Sequence, residues 1–393
     1  MPGYELIGEE EKKAVLEVFD KGGVLYRYGL NDKRQNIFRV DEFEKKIAAK
    51  VGAKHALMVC NGTAALKLCL WAAGVRAGDE VITQSFTFIA TVEAILELGA
   101  RPVICEIDRS LNMDPQDLER LITPKTRAIV PVHMGGVAAK MDEIQAIAAR
   151  RAVPVVEDSA QALGASYKGR PLGTLGLAGV YSLDIGKVIT TGEGGVVITN
   201  DECTYLKCRE YSDHGHEQNP SRPRGEDTRT RWGFNYKATE LQGAVGLAQL
   251  GKMDFILDKQ RTHKRRIKDQ LARIPGLEFR EIPNPEGDAG DTLIFFVESR
   301  ERASAMAKRM AALGVGTKNL PDAIDWHYAG TWAHVFRGDP EYGGKDLEKF
   351  WSRSTGYLRR AIALPILVQM TEERIDQVVA AVKEAASQAV APV

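Results

Sequence analysis

Short apolar runs recur along the first two hundred positions, and most are continuous rather than alternating. Residues 56–60, 80–83, 102–106, 128–132, 154–157, 180–183 and 195–199 read as strands. Continuous aliphatic and β-branched runs are what a sheet covered on both faces requires. Between them the spacing turns helical, over residues 63–73 and from about Phe88 to Glu97. This alternation predicts an α/β fold with a largely parallel, doubly wound sheet. Binding sites in such sheets lie beyond the carboxyl ends of the strands.

The texture changes near Glu240. A long helical pattern runs through Gln249, Ile256 and Lys268 to Arg273 and breaks at Ile274-Pro275-Gly276. Strands at 277–282 and 292–297, a turn over 283–288, and helices at 303–313 and 371–386 predict a smaller α+β unit. We therefore expect a large domain with an N-terminal helix over 1–250 and a small C-terminal domain over 251–393. The polar, arginine-rich stretch 219–231 reads as a mobile loop rather than a linker.

Charge and composition narrow the classes. Lys+Arg 53 balances Asp+Glu 53 over 393 residues, so nothing favours nucleic acid or an anionic membrane surface. No apolar run approaches spanning length, and the acidic, amphipathic start lacks a secretory layout. The five cysteines are scattered and show no metal-ligand spacing. Reduced thiols in the cytoplasm, and no metal, are the expectation.

Candidate chemistry falls just after the predicted strands. Lys187 sits in Tyr181-Ser182-Leu183-Asp184-Ile185-Gly186-Lys187, followed closely by Thr191-Gly192-Glu193-Gly194-Gly195. Glycines there permit close backbone approach, and a lysine whose surroundings favour the neutral amine attacks carbonyls. A solvated lysine in a strand-to-turn segment is the plain alternative. Asn61-Gly62-Thr63-Ala64 joins strand to helix, where backbone amides and the Thr63 hydroxyl suit a phosphate, or Thr63 simply caps the helix. Phe88 could stack on a planar ligand or pack in the core. Asp158 ends a strand and Gln161 lies one helical turn on, so both can face one ligand. A carboxylate there holds a protonated heteroaromatic nitrogen while the amide donates to a phenolic oxygen. With Lys187, Thr63 and Ser182, these make the complement expected around pyridoxal phosphate.

On these motifs the chain resembles the DegT/DnrJ/EryC1/StrS sugar aminotransferases, fold-type I pyridoxal 5′-phosphate enzymes. The likeness covers residues 61–66, 78–82, 87–90, 99–103, 132–144, 157–164, 182–200 and 232–250. It implies that Lys187 carries the cofactor as a Schiff base, Asp158 pairs with the pyridine nitrogen and Gln161 bonds the ring hydroxyl. Thr63, the 62–64 backbone (Gly62 to Ala64) and Ser182 would hold the phosphate, with Phe88 against the ring. Asn235, in Gly233-Phe234-Asn235-Tyr236-Lys237, would reach the phosphate of a partner subunit, so a homodimer with shared active sites is implied.

Two departures stand out. Leu183-Asp184 occupy the place where the family usually has an aromatic residue and a histidine. Lys237 replaces a usual arginine, turning a planar fork into a point charge.

A looser likeness points to enzymes that aminate the acid sugar 3,8-dideoxy-octulosonate in lipopolysaccharide chemistry. It rests on the opening Pro2-Gly3-Tyr4-Glu5-Leu6, Tyr26-Arg27-Tyr28, Ser212-Asp213-His214-Gly215-His216 and Asp325-Trp326-His327-Tyr328. Tyr26 and a basic lining of Arg27, His214, His216, Arg229 and His327 would then meet an acidic substrate. The implied reaction is ping-pong transfer from an amino-acid donor, glutamate or glutamine, to a sugar acceptor. A nucleotide-linked keto-sugar is the alternative acceptor, and a non-catalytic cofactor-binding regulator the alternative class. Dehydratase relatives replace the lysine with histidine, which Lys187 argues against.

Overall fold

In a computed structural model, which describes residues 2–219, 221, 224–228 and 230–387, the apolar runs pair into one continuous sheet. Two amphipathic helices, α1 (Glu9–Asp20) and α2 (Arg39–Val51), precede it. In α2 the buried positions Val40, Phe43, Ile47 and Val51 follow helical spacing, and Gly52 ends the helix at φ 66°.

Strand β1 (His55–Val59) leads through helix α3 (Gly62–Ala72) to β2 (Glu80–Gln84). Helix α4 (Ala90–Leu96) then leads to β3 (Arg101–Cys105), and α5 (Pro115–Leu121) to β4 (Thr126–Val130). Next come α6 (Met141–Arg151) and β5 (Val156–Asp158). A two-residue hairpin, β6 (Ser166–Tyr167) and β7 (Arg170–Pro171), precedes β8 (Ala178–Ser182) and β9 (Gly195–Thr199).

The strands order as β3-β2-β4 and β5-β8-β9-β1, and parallel bridges Ile129–Val155 and Val132–Asp158 join the two halves. All neighbours are parallel except β9, which runs antiparallel to both β8 and β1. The expected α/β class is therefore present, with one reversed strand that periodicity could not orient. Because β9 is reversed, it begins where β8 ends, and the segment bearing Lys187 closes between them.

Helix α7 (Glu202–Tyr211) covers β1 and β9. Helix α8 (Glu240–Leu271) opens with a reciprocal cap, the Thr239 N–H donating to Gln242 Oε1 at 2.8 Å. It runs without a break past residue 250. Its first half packs on α1 and α2, and Ile267 and Leu271 enter a second core. That core is built on the antiparallel sheet β10 (Glu278–Phe279), β11 (Thr292–Phe296) and β12 (Ala361–Pro365). Helix α9 (Arg300–Ala312) and the last helix, Glu372–Ser387, cover it. No helix among the described residues is long and apolar enough to cross a membrane.

Candidate active site

The carboxyl ends of β5 and β8, the start of α3 and the start of α4 surround a cavity of about 540 Å³. Lys187, Asp158, Gln161, Thr63, Gly62, Ser182, Phe88 and His327 all line it. Residues predicted separately after four different strands thus converge on one space.

Asp158 is buried, the last residue of β5. Thr91 Oγ1 donates to its Oδ2 at 2.7 Å and the Ala160 N–H to its Oδ1 at 3.1 Å. Among the described residues no ion pair involves it. Burial pushes its carboxyl above the ordinary value, against those hydrogen bonds and the pull of Lys187 and His133. A buried carboxylate that lacks a cation fits a ligand carrying a protonated ring nitrogen.

Gln161 is oriented by a neighbour. Its Oε1 accepts the Gly135 N–H at 2.9 Å, which leaves the amide nitrogen as its donor end. Lys187 is partly buried, and burial lowers its ammonium pKa, with Lys318 adding repulsion and Asp184, Asp158 and Asp291 opposing. Lining the cavity, Lys187 is placed differently from an ordinary solvated surface lysine.

Asp184 shapes the lysine loop. Its Oδ1 accepts the Gly186 N–H at 2.9 Å and its backbone carbonyl accepts the Lys187 N–H at 3.1 Å, a local Asx turn. Leu183 is fully buried, and its carbonyl accepts from the Thr191 N–H and Thr190 Oγ1. From outside, the Gly3 N–H donates to the Lys187 carbonyl at 3.0 Å, and a Cβ on Gly3 would lie 2.9 Å from Ile189 Cα.

The phosphate end is only partly as expected. The α3 cap is Asn61, not Thr63, and its Oδ1 accepts the Ala64 N–H at 2.8 Å. That amide is already spent, which leaves the Gly62 and Thr63 amides and the Thr63 and Ser182 hydroxyls as the groups available to a phosphate. A Cβ at Gly62 would stand 3.0 Å from Ser182 Cβ, a tight contact that Ser182 would have to relieve by a small shift. Phe88 and His327 rings lie 5.4 Å apart, and His327 Nδ1 donates to the Ala323 carbonyl at 2.9 Å. Burial lowers the His327 pKa. The set of buried acid, directed amide, partly buried lysine and phosphate cup fits pyridoxal 5′-phosphate.

The expected basic gathering does not form within one chain. Arg27 is buried, with Nη2 donating to both Glu44 carboxylate oxygens at 2.7 Å and Nη1 to the Met58 carbonyl at 2.9 Å. Its charge is consumed by Glu44, away from Lys187. His214 and His216 line a separate hollow with Arg231 and Trp232, and His216 Nδ1 sits 2.7 Å from Asp227 Oδ2. Arg229 lies outside the described residues, as does part of the 219–231 loop. Tyr26 is exposed near Lys237, whose ammonium pairs with Asp213. Asn235 is exposed and outside the cavity.

Sequence reading missed Thr91, Asp291, Lys318 and Asn319, all lining the cavity. Thr91 had a signal, one turn into the helix that Phe88 opens. Asp291 and Lys318 had none, because they come from the distant small sheet.

Comparison with known proteins places the chain in a family. The model of the DegT/DnrJ/EryC1/StrS aminotransferase family matches residues 7–383. The spore coat polysaccharide biosynthesis protein SpsC of Bacillus subtilis (strain 168) is 32% identical over 387 residues, 96% of this chain and 95% of that one. GDP-perosamine synthase of Caulobacter vibrioides is 34% identical over 358 residues, 87% and 89% of the two chains. The solved structure of NtdA from Bacillus subtilis with bound cofactor PMP has a TM-score of 0.83 at 25% identity. It covers 98% of this chain and 84% of that one.

Proposed function

Since the chain belongs to the DegT/DnrJ/EryC1/StrS aminotransferase family, we propose that it moves the amino group of glutamate to an aldehydo- or keto-sugar, with C8 of a 3,8-dideoxy-octulosonate as acceptor carbon. Membership makes it a pyridoxal 5′-phosphate-dependent sugar aminotransferase. The observation that carries the reading is the convergence of Lys187, Asp158 and Gln161 on one cavity.

Bound pyridoxal 5′-phosphate supplies an electron sink for the carbon that gains or loses nitrogen. Lys187 would anchor it covalently. Released, Lys187 Nζ acts as general base and acid, taking the proton from the donor α-carbon and delivering one in the second half-reaction. Its lowered pKa favours the neutral amine that this requires. Asp158 would hold a proton on the ring nitrogen, Gln161 Nε2 would donate to the ring oxygen, and Phe88 would shield the ring from water. Thr63, Ser182 and the Gly62 and Thr63 amides would hold the phosphate. In balance, one water gives its oxygen to the donor's keto acid, the sugar carbonyl oxygen leaves as one water, and the amino group, as NH2, and one hydrogen pass from donor to sugar.

Asn235 would act across a homodimer interface on the partner's phosphate. The acid-sugar acceptor is supported by the opening 2–6 segment and by Tyr26-Arg27-Tyr28, 212–216 and 325–328. A nucleotide-linked keto-sugar is favoured by one observation, the likeness to GDP-perosamine synthase.

The test is spectroscopic. Cofactor-loaded protein should be yellow, glutamate should bleach it, and the sugar aldehyde should restore the colour. Restoration by a GDP-linked keto-sugar alone selects the second acceptor. Colour that no amino donor changes describes a cofactor-binding regulator instead. Lys187→Ala should lose both the visible absorbance and turnover, and full retained transamination would end the lysine assignment.

A further inference from the structure

We infer that Lys318, seated against Asp291, is the specificity-determining cation that receives a substrate carboxylate in the Lys187 cavity. This rests on the aminotransferase reading, in which the amino-acid donor, the acid-sugar acceptor or both bring such a group.

A carboxylate leaving water needs a positive partner. No arginine lines the cavity among the described residues, and its two lysines are Lys187 and Lys318. Lys187 is committed to cofactor and proton transfer, while burial keeps His327 toward its neutral form. Lys237, at the family's usual arginine position, lies outside its own chain's cavity, and its charge is already paired with the buried Asp213 carboxylate.

The small sheet builds the seat for Lys318. Its N–H donates to the Ala363 carbonyl at 2.8 Å, and the Ala363 N–H donates to the Leu320 carbonyl at 3.0 Å, extending β12 by one strand-like segment. Asp291 immediately precedes β11, and its carbonyl accepts the Ile366 N–H at 3.0 Å. Although burial opposes it, Lys318 and the Thr292 hydroxyl keep the Asp291 carboxyl below its ordinary value, so the seat is charged. An ammonium has three donors and Asp291 takes one. The Lys318 side chain remains 28% exposed, so it is accessible to an incoming group.

Calorimetry on the cofactor-loaded, full-length enzyme tests this with two unreactive probes. Glutarate stands for the donor carboxylates, and an eight-carbon 3-deoxy-sugar acid without an aldehyde stands for the acceptor. Lys318→Gln keeps a donor to Asp291 but no charge, and it should weaken at least one probe roughly 10- to 100-fold. Lys318→Arg should keep most of the affinity. In turnover, the KM of the matching substrate should rise more than kcat falls. The responsive probe identifies the carboxylate's source. Wild type binding neither probe, or Lys318→Gln binding both as tightly as wild type, overturns the inference. Glutamate bleaching of wild type judges the aminotransferase reading separately, because glutarate binding reports on Lys318 whether or not bleaching occurs.

Discussion

The Asp158 carboxyl takes two hydrogen bonds at the end of β5, yet burial raises its pKa. An acid with a raised folded pKa contributes stability that is full below its unfolded value and is lost as pH rises through the folded value. Cofactor-free Asp158→Asn should therefore be at least as stable as wild type at pH 7, with the difference closing in acid. The same change should cost roughly 10²–10³ in turnover, the scale of losing one preorganised charge. Calorimetric melting across pH checks the first part; a clearly less stable variant at pH 7 would refute the buried-charge account.

Arg27 makes the opposite case. Removing it strands the buried Glu44, so Arg27→Ala should cost about 3–5 kcal/mol, and Arg27→Met with Glu44→Met should recover most of it. Denaturant midpoints measure both, while lost kcat/KM in protein that remains folded would return Arg27 to the site.

These two residues also show what was legible. Asp158 and Ser182 lie at the ends of readable strands, and Gln161, Thr63 and Lys187 follow such strands. Arg27 looked available because its partner, seventeen positions on, is invisible without α2's packing.

At the scale of elements, most predicted strands and helices formed with ends displaced by a residue or two. The hidden part was direction and docking. Nothing in Gly195–Thr199 announces that β9 runs backward, and only that reversal closes the lysine loop. The contact of Gly3 with that loop is likewise a long-range event. It supports a prediction made away from the cavity. In Gly3→Ala the new methyl meets Thr190 N at 2.8 Å, so the loop must shift. Overpacking of this kind costs about 1–3 kcal/mol. Cofactor affinity, measured by absorbance titration, should fall with it, and an unchanged titration would show that the loop tolerates displacement.

For the whole molecule, the two units share α8, which at 32 residues spans roughly 48 Å. Residue 250 therefore lies inside a rigid rod. The large sheet brings Asp158 and Ser182 to the cavity, and the small sheet supplies Asp291 and Lys318. If Asn235 serves a partner's site, subunits carrying Lys187→Ala and Asn235→Ala should complement each other. Random reassortment makes about half the dimers mixed, each with one intact site, so roughly a quarter of wild-type activity should return. Mixed subunits that stay inactive after denaturation and refolding together would argue against shared sites.

The stretch between Lys318 and His327 is moored at both ends. Lys318 is tied to β12, and the Thr87 and Ile89 amides donate to the His327 and Trp326 carbonyls at 3.0 and 3.1 Å. Three cavity groups, Lys318, Asn319 and His327, thus travel on ten residues whose two ends are held by main-chain bonds, with Leu320 and Ile324 anchored in the core between them. For an engineer this is an exchangeable cassette. Acceptor preference could be rewritten between the moorings, by grafting or by a focused library, while the machinery around Lys187 is left as it stands.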